Sequence, residues 1–321
     1  MKLARALSAL GRTFITAGVL ILLFVAYQLW GTNIHTAREQ NRLEGDLAAL
    51  LEQAQEAART TTTRSSTWSS TTSSTTPGAP TTTATLPPST VAPLPPEVAP
   101  PEGEVVGRIE MPTVGADWVI VQGVSVGDLK KGPGHYPDTP FPGEKGNAAI
   151  AGHRTTYGAP FHRVDELAVG DEIIVTTVQG RFVYGVIDTE GDGDGHSLVH
   201  PRQVEVLDDV GDNRLTLTSC HPKYTARQRI IVVGELKGTP VPTPPRRPPP
   251  RRSLDVGISG EGVPIWPAIL WGFICALIWL AAWLIGRKWR RWPAYLIGLP
   301  IFVVALFIFF ENFSRLLPAN Y

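Results

Sequence analysis

The chain has 321 residues, enough for roughly two ordinary domains, and its 29 lysines and arginines balance its 29 aspartates and glutamates. No basic patch stands outside the flanks of its apolar segments, which argues against a nucleic-acid-binding protein. The average composition combines segments of very different character, and these predict how the chain is organised.

Three apolar stretches predict transmembrane helices: 14–30, 263–285 and 293–311. A helix needs about 20 apolar residues to cross a bilayer, with roughly 17 as the lower limit, so the first stretch is near that limit. The first stretch is also longer than the apolar core of a cleaved signal peptide, and no clear cleavage site follows it. We therefore interpret it as an uncleaved signal anchor, with a cleaved signal peptide as the alternative.

Two clusters of basic residues predict the orientation of these helices, one before the first span and one between the second and third (Lys2, Arg5 and Arg12; Arg287, Lys288, Arg290 and Arg291). Basic residues favour the cytoplasmic side of a membrane. Residues 1–13 and the loop 286–292 are therefore predicted to be cytoplasmic. The middle of the chain and the tail 312–321 are predicted to be extracytoplasmic, in a multi-pass protein of the cell membrane.

The segments that follow the first span differ sharply in composition. Residues 31–59 are rich in Ala, Leu, Glu and Gln, which predicts a helical stalk next to the membrane, and we interpret it as solvated. Residues 60–103 are dominated by Thr, Ser and Pro and predict a disordered linker, because such a composition buries no core. A second, Pro-rich linker is predicted at 238–262.

Residues 104–237, between the two linkers, have the right length for one compact domain. Short β-rich runs alternate there with turn-forming clusters, and short helical turns fit at 125–131 and 160–167. The runs predict strands at 104–110, 117–121, 147–152, 172–178, 181–188, 203–207, 214–220 and 229–236. About eight short strands with few helices predict a mainly β domain that forms a closed or nearly closed barrel.

The chain has two cysteines, and they lie in different surroundings. Cys275 falls within the second predicted span and is interpreted as a small buried apolar residue. Cys220 ends an alternating run in the barrel domain and has no cysteine partner there. An unpaired extracytoplasmic cysteine indicates a reactive thiol or an intermolecular link. Because the thiolate is the nucleophilic form, such a thiol needs nearby groups that favour it.

Six histidines of the domain are candidates for an acid–base partner: His135, His153, His162, His196, His200 and His221. We favour His153, since it follows an apolar strand end, where loops build sites. His221 is adjacent to Cys220 and would point to the opposite face of a continuing strand. A purely structural role for the histidine remains the alternative. Arg229 and Arg227 both remain candidates for stabilising a developing oxyanion.

Two stretches resemble the sortase family, and more narrowly the class E sortases. They are GPGHYPDTPFPGEKGNAAIAGHRTTYGAPF at 132–161 and TLTSCHPKYTARQR at 216–229, with His, Cys and Arg in that order along the chain. The resemblance covers most of 104–237 and implies an eight-stranded barrel and a cysteine transpeptidase. It implies Cys220 as nucleophile, His153 as general acid and base, and Arg229 as oxyanion stabiliser. It further implies substrate contacts from Tyr157, Thr218 and Ser219, with Ser219 replacing the threonine usual before the nucleophile.

The resemblance also implies the substrates. The enzyme would cleave the Thr–Gly bond of a sorting signal of the LPXTG type, often LAXTG in class E, and Tyr157 matches a tyrosine associated with alanine at the second position. The acceptor would be a peptidoglycan amine on a lipid-linked precursor. The implied reaction uses no metal or cofactor. The acidic run 188–194 lacks the spacing of an EF-hand loop and is interpreted as a solvated turn.

Three alternative functions remain at this stage. A pilin-polymerising sortase would use the same chemistry with a lysine acceptor and would carry a lid segment, for which 60–101 shows no motif. An L,D-transpeptidase would place an arginine two residues after its cysteine, where this chain has Pro222. A membrane-anchored binding or scaffold module would have lost the activity. The C-terminal pair of spans goes beyond the simplest class E layout, and we interpret it as additional anchoring.

Overall fold

The structure is a computed structural model that describes residues 2–67, 100–223, 225–241, 264–288, 291–314 and 316. Its helices are α1 (Lys2–Ala26), α2 (Thr32–Thr67), α3 (Val126–Leu129), α4 (Trp266–Lys288) and α5 (Arg291–Ser314). A π-helical segment, Tyr27–Gly31, joins α1 to α2, and short 3-10 helices lie at Pro112–Val114, Val164–Glu166 and Val204–Leu207.

Within the described residues, nine strands form one sheet that closes on itself. They are β1 (Val105–Met111), β2 (Ala116–Gln122), β3 (Gly134–His135), β4 (Gly146–Ala151), β5 (Glu172–Thr177), β6 (Gly180–Val186), β7 (Ser197–Val199), β8 (Asn213–His221) and β9 (Gln228–Leu236). Their order is β6-β5-β1-β2-β3-β4-β8-β9-β7, and a further pairing of β6 with β9 closes the ring. Eight strands therefore form a closed barrel, with β7 added beside the start of β9, and the predicted eight-stranded barrel is confirmed.

The barrel interior explains why β4 and β8 lie side by side. All six residues of β4 are buried, as are six consecutive residues of β8. The two strands run parallel from Gly146↔Asn213 to Ala151↔Thr218. Burial on both faces of adjacent parallel strands accounts for their apolar runs. Their carboxyl ends consequently meet at the same edge of the barrel, which is where Cys220 and the loop after Ala151 lie.

One predicted strand is wrong and two short strands were not predicted. Residues 203–207 were expected to be a strand, but the structure has a 3-10 helix at Val204–Leu207. The side-chain amide of Asn147 donates hydrogen bonds to the carbonyls of Val206 and Asp208, which holds this turn against β4. The missed strands β3 and β7 have two and three residues, too short to show a periodic pattern.

The helix α2 packs against the barrel along one face. Leu43 and Leu47 are buried against Val105, Val119 and Val121 of β1 and β2. Gln40 extends this contact, since its side-chain amide donates to the carbonyl of Val119 (3.1 Å) and accepts from the Val119 amide (2.9 Å). The interpretation of this segment as a solvated stalk is therefore wrong for that face.

The predicted linkers are only partly covered by the structure. Helix α2 continues to Thr67, into the stretch predicted as the first linker. Residues 68–99 and 242–262 of the two predicted linkers lie outside the described residues.

In the part of the chain that the structure describes, two helices are long and apolar enough to cross a membrane, over Trp266–Arg287 and Leu296–Ser314, and a shorter apolar helix covers Gly11–Ala26. The end of the N-terminal helix packs against α5. The ring centroid of Tyr27 is 5.3 Å from that of Phe307, and Phe24 lies 5.2 Å from Phe310. Apolar residues of α4 and α5 therefore form one hydrophobic cluster with the end of α1 and with Tyr27, close to the start of α2.

Candidate active site

Hydrogen bonds beyond the β4–β8 ladder bring the loop after Ala151 to the end of β8. The amide of Gly152 donates to the carbonyl of Thr218 at 3.0 Å. The hydroxyl of Ser219 donates to the carbonyl of Gly152 at 2.7 Å. In the chain, His153 directly follows Gly152, and Cys220 directly follows Ser219. The two predicted catalytic side chains therefore start from neighbouring backbone positions.

Arg229 is positioned by the antiparallel pairing of β8 with β9. It is the register partner of Cys220, and its Nη1 lies 3.7 Å from the thiol Sγ. The side chain is 3% exposed, whereas Arg227 is exposed. Of the two arginines that sequence patterns left open, Arg229 is the one beside the thiol, and its role as oxyanion stabiliser remains a prediction.

A narrow cavity joins the three predicted catalytic residues. His153, Cys220 and Arg229 line it, together with Thr218, Ser219 and Leu129. His153 and Cys220 are 2% and 4% exposed, so the site is closed to solvent in this structure. An incoming peptide therefore requires the surrounding loops to move apart.

One ring nitrogen of His153 can accept a proton. Its Nε2 is buried and has no hydrogen-bond partner among the described residues. Burial, followed by the positive charge of Lys130, lowers its pKa from 6.5 to about 4. The imidazole is therefore neutral near pH 7 in the closed site. A neutral imidazole with an unpartnered ring nitrogen is suited to accept a proton from a thiol or an amine.

The Cys220 thiol is subject to opposing effects. Burial raises its pKa, while the guanidinium groups of Arg229 and then Arg154 oppose that increase. Burial predominates, so the closed site holds a neutral thiol beside a neutral imidazole. The thiolate forms when the proton moves to a base and when solvent or substrate replaces the apolar surroundings.

Two other histidines of the domain, His135 and His162, are engaged in hydrogen bonds. The Nδ1 of His135 pairs with Gln122 Oε1 at 2.9 Å, and its Nε2 with the carbonyl of Pro140 at 2.8 Å. The Nδ1 of His162 pairs with the carbonyl of Arg154 at 2.9 Å. Among the described histidines, it is His153 that lines the cavity.

Tyr157 lies beside His153, with ring centroids 5.1 Å apart. It adopts a left-handed backbone conformation, with φ at 51°. The start of α2 holds this loop, because the amide of Tyr157 donates to Thr32 Oγ1 and the amide of Gly158 donates to Asn33 Oδ1. These contacts from α2 were not predicted, and no local sequence pattern indicates them.

The other two predicted substrate contacts form part of the cavity wall. The hydroxyls of Thr218 and Tyr136 are hydrogen-bonded at 2.9 Å, and Ser219 donates to Gly152 as described above. Both side chains are therefore engaged within the protein in the closed site. Their contact with substrate remains a prediction.

Arg154, which was not predicted, places a second guanidinium beside the proposed nucleophile. It is 1% exposed, and its Nη2 lies 2.8 Å from Asp165. Its Nε donates to the carbonyl of His162 at 2.9 Å, and its Nη1 approaches the carbonyl of Cys220 at 3.5 Å. Arg154 thus ties together the loop after His153 and the end of β8. Its place directly after the candidate histidine was the available sequence signal.

The acidic run 188–194 forms an exposed turn. The carboxylate of Asp188 accepts hydrogen bonds from the amides of Glu190, Gly191 and Gly193. Within the part of the chain that the structure describes, no group of three or more metal-ligating side chains is assembled.

Comparisons with known proteins agree on one family. Residues 109–237 match the model of the sortase domain. The chain is 30% identical to Sortase SrtE1 of Streptomyces coelicolor over 71% of this chain and 56% of that protein. It is also 30% identical to Sortase SrtE2 of the same organism, over 77% of this chain and 88% of that protein. Among solved structures, sortase E from Streptomyces avermitilis is 33% identical to this chain. The match covers 43% of this chain and 91% of the solved one, with a TM-score of 0.38.

Proposed function

The chain belongs to the sortase family, and we propose that it is a membrane-anchored cysteine transpeptidase that acts on sorting signals. The cavity shared by Cys220, His153 and Arg229 is the observation that carries the proposal. It combines a nucleophile, a proton acceptor and a fixed cation, which are the groups that acyl transfer through a thioester requires. The curated relatives named above are sortases of type E, which supports a class E assignment.

The first half-reaction is acylation of Cys220. The thiol transfers its proton to the neutral His153, and the sulfur attacks the Thr carbonyl of the Thr–Gly bond. Arg229 lies 3.7 Å from the sulfur and so near the carbonyl oxygen as it becomes negative. His153 then gives its proton to the departing glycine amine, which leaves a thioester on Cys220.

The second half-reaction transfers the acyl group to an amine. The acceptor amine attacks the thioester, His153 removes a proton from it, and the thiolate of Cys220 leaves. We propose a peptidoglycan amine on a lipid-linked precursor as the acceptor, since the barrel is joined to apolar helices at both ends of the chain.

The proposed location is the cell membrane, crossed several times, with the barrel on the outer side. The junction of α1 with α2 and the C-terminal end of α5 both lie at the barrel, since the Tyr157 amide donates to Thr32 Oγ1 and Lys130 contacts Glu311. The basic residues around 287–291 would then lie at the opposite end of the helices. This arrangement agrees with the preference of basic residues for the cytoplasmic side.

The substrate signal is proposed to be LPXTG or LAXTG, with Tyr157 favouring alanine at the second position. The aromatic ring of Tyr157 is adjacent to His153 and held by α2, so it can contact residues that precede the scissile bond. A peptide with proline at that position has a fixed backbone torsion and a bulkier ring, which a rigid neighbouring aromatic ring can discriminate against.

The test uses the full chain in detergent micelles with LAXTG and LPXTG peptides and an amine acceptor. We expect intact-mass detection of a thioacyl adduct, which is absent in Cys220→Ala. Tyr157→Leu should reduce the preference for alanine, while Tyr157→Phe, which keeps the ring, should retain it. An adduct on Cys220→Ala would refute the catalytic assignment. Absence of any adduct on the wild-type chain would favour an inactive scaffold.

A further inference from the structure

Lys130 lies where the last membrane helix meets the barrel. It follows helix α3 and is only 7% exposed. Its Nζ lies 3.5 Å from Oε1 of Glu311, a residue near the C-terminal end of α5. The pair joins residues 181 positions apart in the chain. A lysine this deeply buried needs a compensating charge, since an uncompensated buried ammonium is strongly disfavoured.

The same ammonium group lies over the site's aromatic ring. Lys130 Nζ is 5.4 Å from the centroid of the Tyr157 ring, within the range of a cation–π contact. The Tyr157 ring is in turn 5.1 Å from the ring of His153. A continuous path of contacts therefore runs from Glu311 through Lys130 and Tyr157 to the proposed general acid and base.

The charge of Lys130 acts on His153 directly as well. After burial, it is the second cause that lowers the pKa of His153. Both half-reactions pass through a protonated His153, and the positive charge of Lys130 opposes that protonation. A carboxylate beside Lys130 offsets this effect.

The loop is also fixed from the N-terminal side. The hydroxyl of Thr36 in α2 donates to the carbonyl of Lys130 at 2.9 Å. The segment before α2 packs through Tyr27 against Phe307 and Phe310 of α5. The N-terminal and C-terminal helices therefore converge on Lys130, which is the point where Glu311 reaches the barrel.

We propose that Glu311 is a positioning residue for the acid–base step: it holds Lys130 over Tyr157 and offsets the lysine charge at His153. The inference rests on the proposed function, because it assigns a role in that reaction. It gives the C-terminal pair of helices a part in catalysis beyond anchoring. Among the described residues, charged and titratable groups lie around His153 on several elements. They are Lys130 after α3, Arg154 and Tyr157 on its own loop, Cys220 on β8 and Arg229 on β9. Glu311 on α5 acts on the site by way of its contact with Lys130.

The experiment measures peptide acylation as a function of pH with the full chain in detergent micelles. For Glu311→Gln we expect kcat to fall by about tenfold, the change in rate equivalent to one pKa unit, with KM nearly unchanged. The acidic limb of the profile should move to lower pH, because an uncompensated Lys130 makes His153 harder to protonate. Glu311→Asp, which keeps the charge, should recover part of kcat.

A double-mutant cycle tests whether the effect passes through Lys130. In a Lys130→Met background, Glu311→Gln should produce no further change in kcat or in the pH profile. Asn312→Ala is the matched control, since the Asn312 amide donates to Ile308 within its own helix. That variant should retain the wild-type profile.

The outcomes separate this inference from the proposed function. If the wild-type chain forms no thioacyl adduct, the proposed function fails. An active wild type with an unchanged Glu311→Gln profile would overturn the role of Glu311 alone. So would a loss in Glu311→Gln that persists at full size in the Lys130→Met background, or that Asn312→Ala reproduces.

Discussion

Arg229 lies directly opposite Cys220 in the β8–β9 ladder, with its Nη1 3.7 Å from the thiol sulfur. The guanidinium is held there by strand pairing and by burial to 3% exposure, and its position therefore does not depend on substrate. A preorganised donor of this kind stabilises charge as it develops without first having to reorient. The cation also opposes the increase in the pKa of Cys220 that burial causes.

Replacing Arg229 by Gln should therefore slow acylation by roughly 100- to 1000-fold, the usual cost of losing one oxyanion donor. Single-turnover acylation of a sorting-signal peptide measures this. Arg227→Gln is the matched control because Arg227 is exposed two residues earlier, and it should stay within about twofold of wild type. Equal losses in both variants would contradict the assignment.

Strand ends alone left six histidines and two arginines as candidates, and the resemblance to sortases was what selected His153 and Arg229 beside Cys220. The ends of β4 and β8 were both recognisable, and their parallel pairing brings His153 and Cys220 together. The barrel followed from the number and shortness of the strands. The strand predicted at 203–207 failed because its alternating Val204 and Val206 imitate a strand, while contacts from Asn147 stabilise a turn.

What the sequence could not reveal are contacts between distant parts of the chain. Lys130 meets Glu311, and Tyr157 meets Thr32, with no local pattern that links either pair. The packing of α2 on the barrel also depends on Val119, which is far from Leu43 in the chain. Periodicity indicates that a helix has an apolar face, but it does not identify the surface that covers that face.

Arg154 should affect the acidity of the nucleophile. Removing its positive charge in Arg154→Gln should raise the pKa of the Cys220 thiol, because Arg154 favours the thiolate. The pH profile of Cys220 alkylation by iodoacetamide should then move to higher pH. Arg154→Lys keeps the charge but not the forked contacts, so it should have the smaller shift.

The control for Arg154 is Arg163→Gln. Arg163 makes an exposed ion pair with Glu166 at 2.6 Å on the same loop and does not line the cavity. Its alkylation profile should match wild type. An unchanged profile for Arg154→Gln would show that Arg154 holds the loop without tuning the thiol.

The docking of α2 should depend on Leu43, which is fully buried against β1 and β2. Leu43→Ala should lower the free energy of unfolding by about 2–5 kcal/mol, the usual range when a buried leucine is replaced by alanine. Hydrogen exchange should accelerate along α2 as the helix detaches from the barrel. Leu50→Ala is the matched control, because Leu50 is 39% exposed on the same helix. Equal exchange in the two variants would mean that this face does not hold α2.

His153 should make the folded protein less stable as the pH falls below the pKa that this histidine has in the unfolded chain. Its pKa is lowered from 6.5 to about 4 in the folded protein. Between these values the unfolded chain binds more protons than the folded one, so acidification favours unfolding. The contribution of neutral His153 to the free energy of unfolding is fully present above pH 6.5. It declines by up to about 1.4 kcal/mol per pH unit, for a total loss of about 3 kcal/mol by pH 4.

Chemical unfolding between pH 7 and pH 5 measures this contribution, over a range where most carboxylates remain ionised. His153→Gln removes the titrating group, so its free energy of unfolding should fall less steeply with acidification than that of wild type. His200→Gln is the control for removing a histidine at an exposed position, and the prediction requires His153→Gln to differ from it. Parallel curves for wild type and His153→Gln would mean that burial does not lower the pKa of His153 in the folded protein.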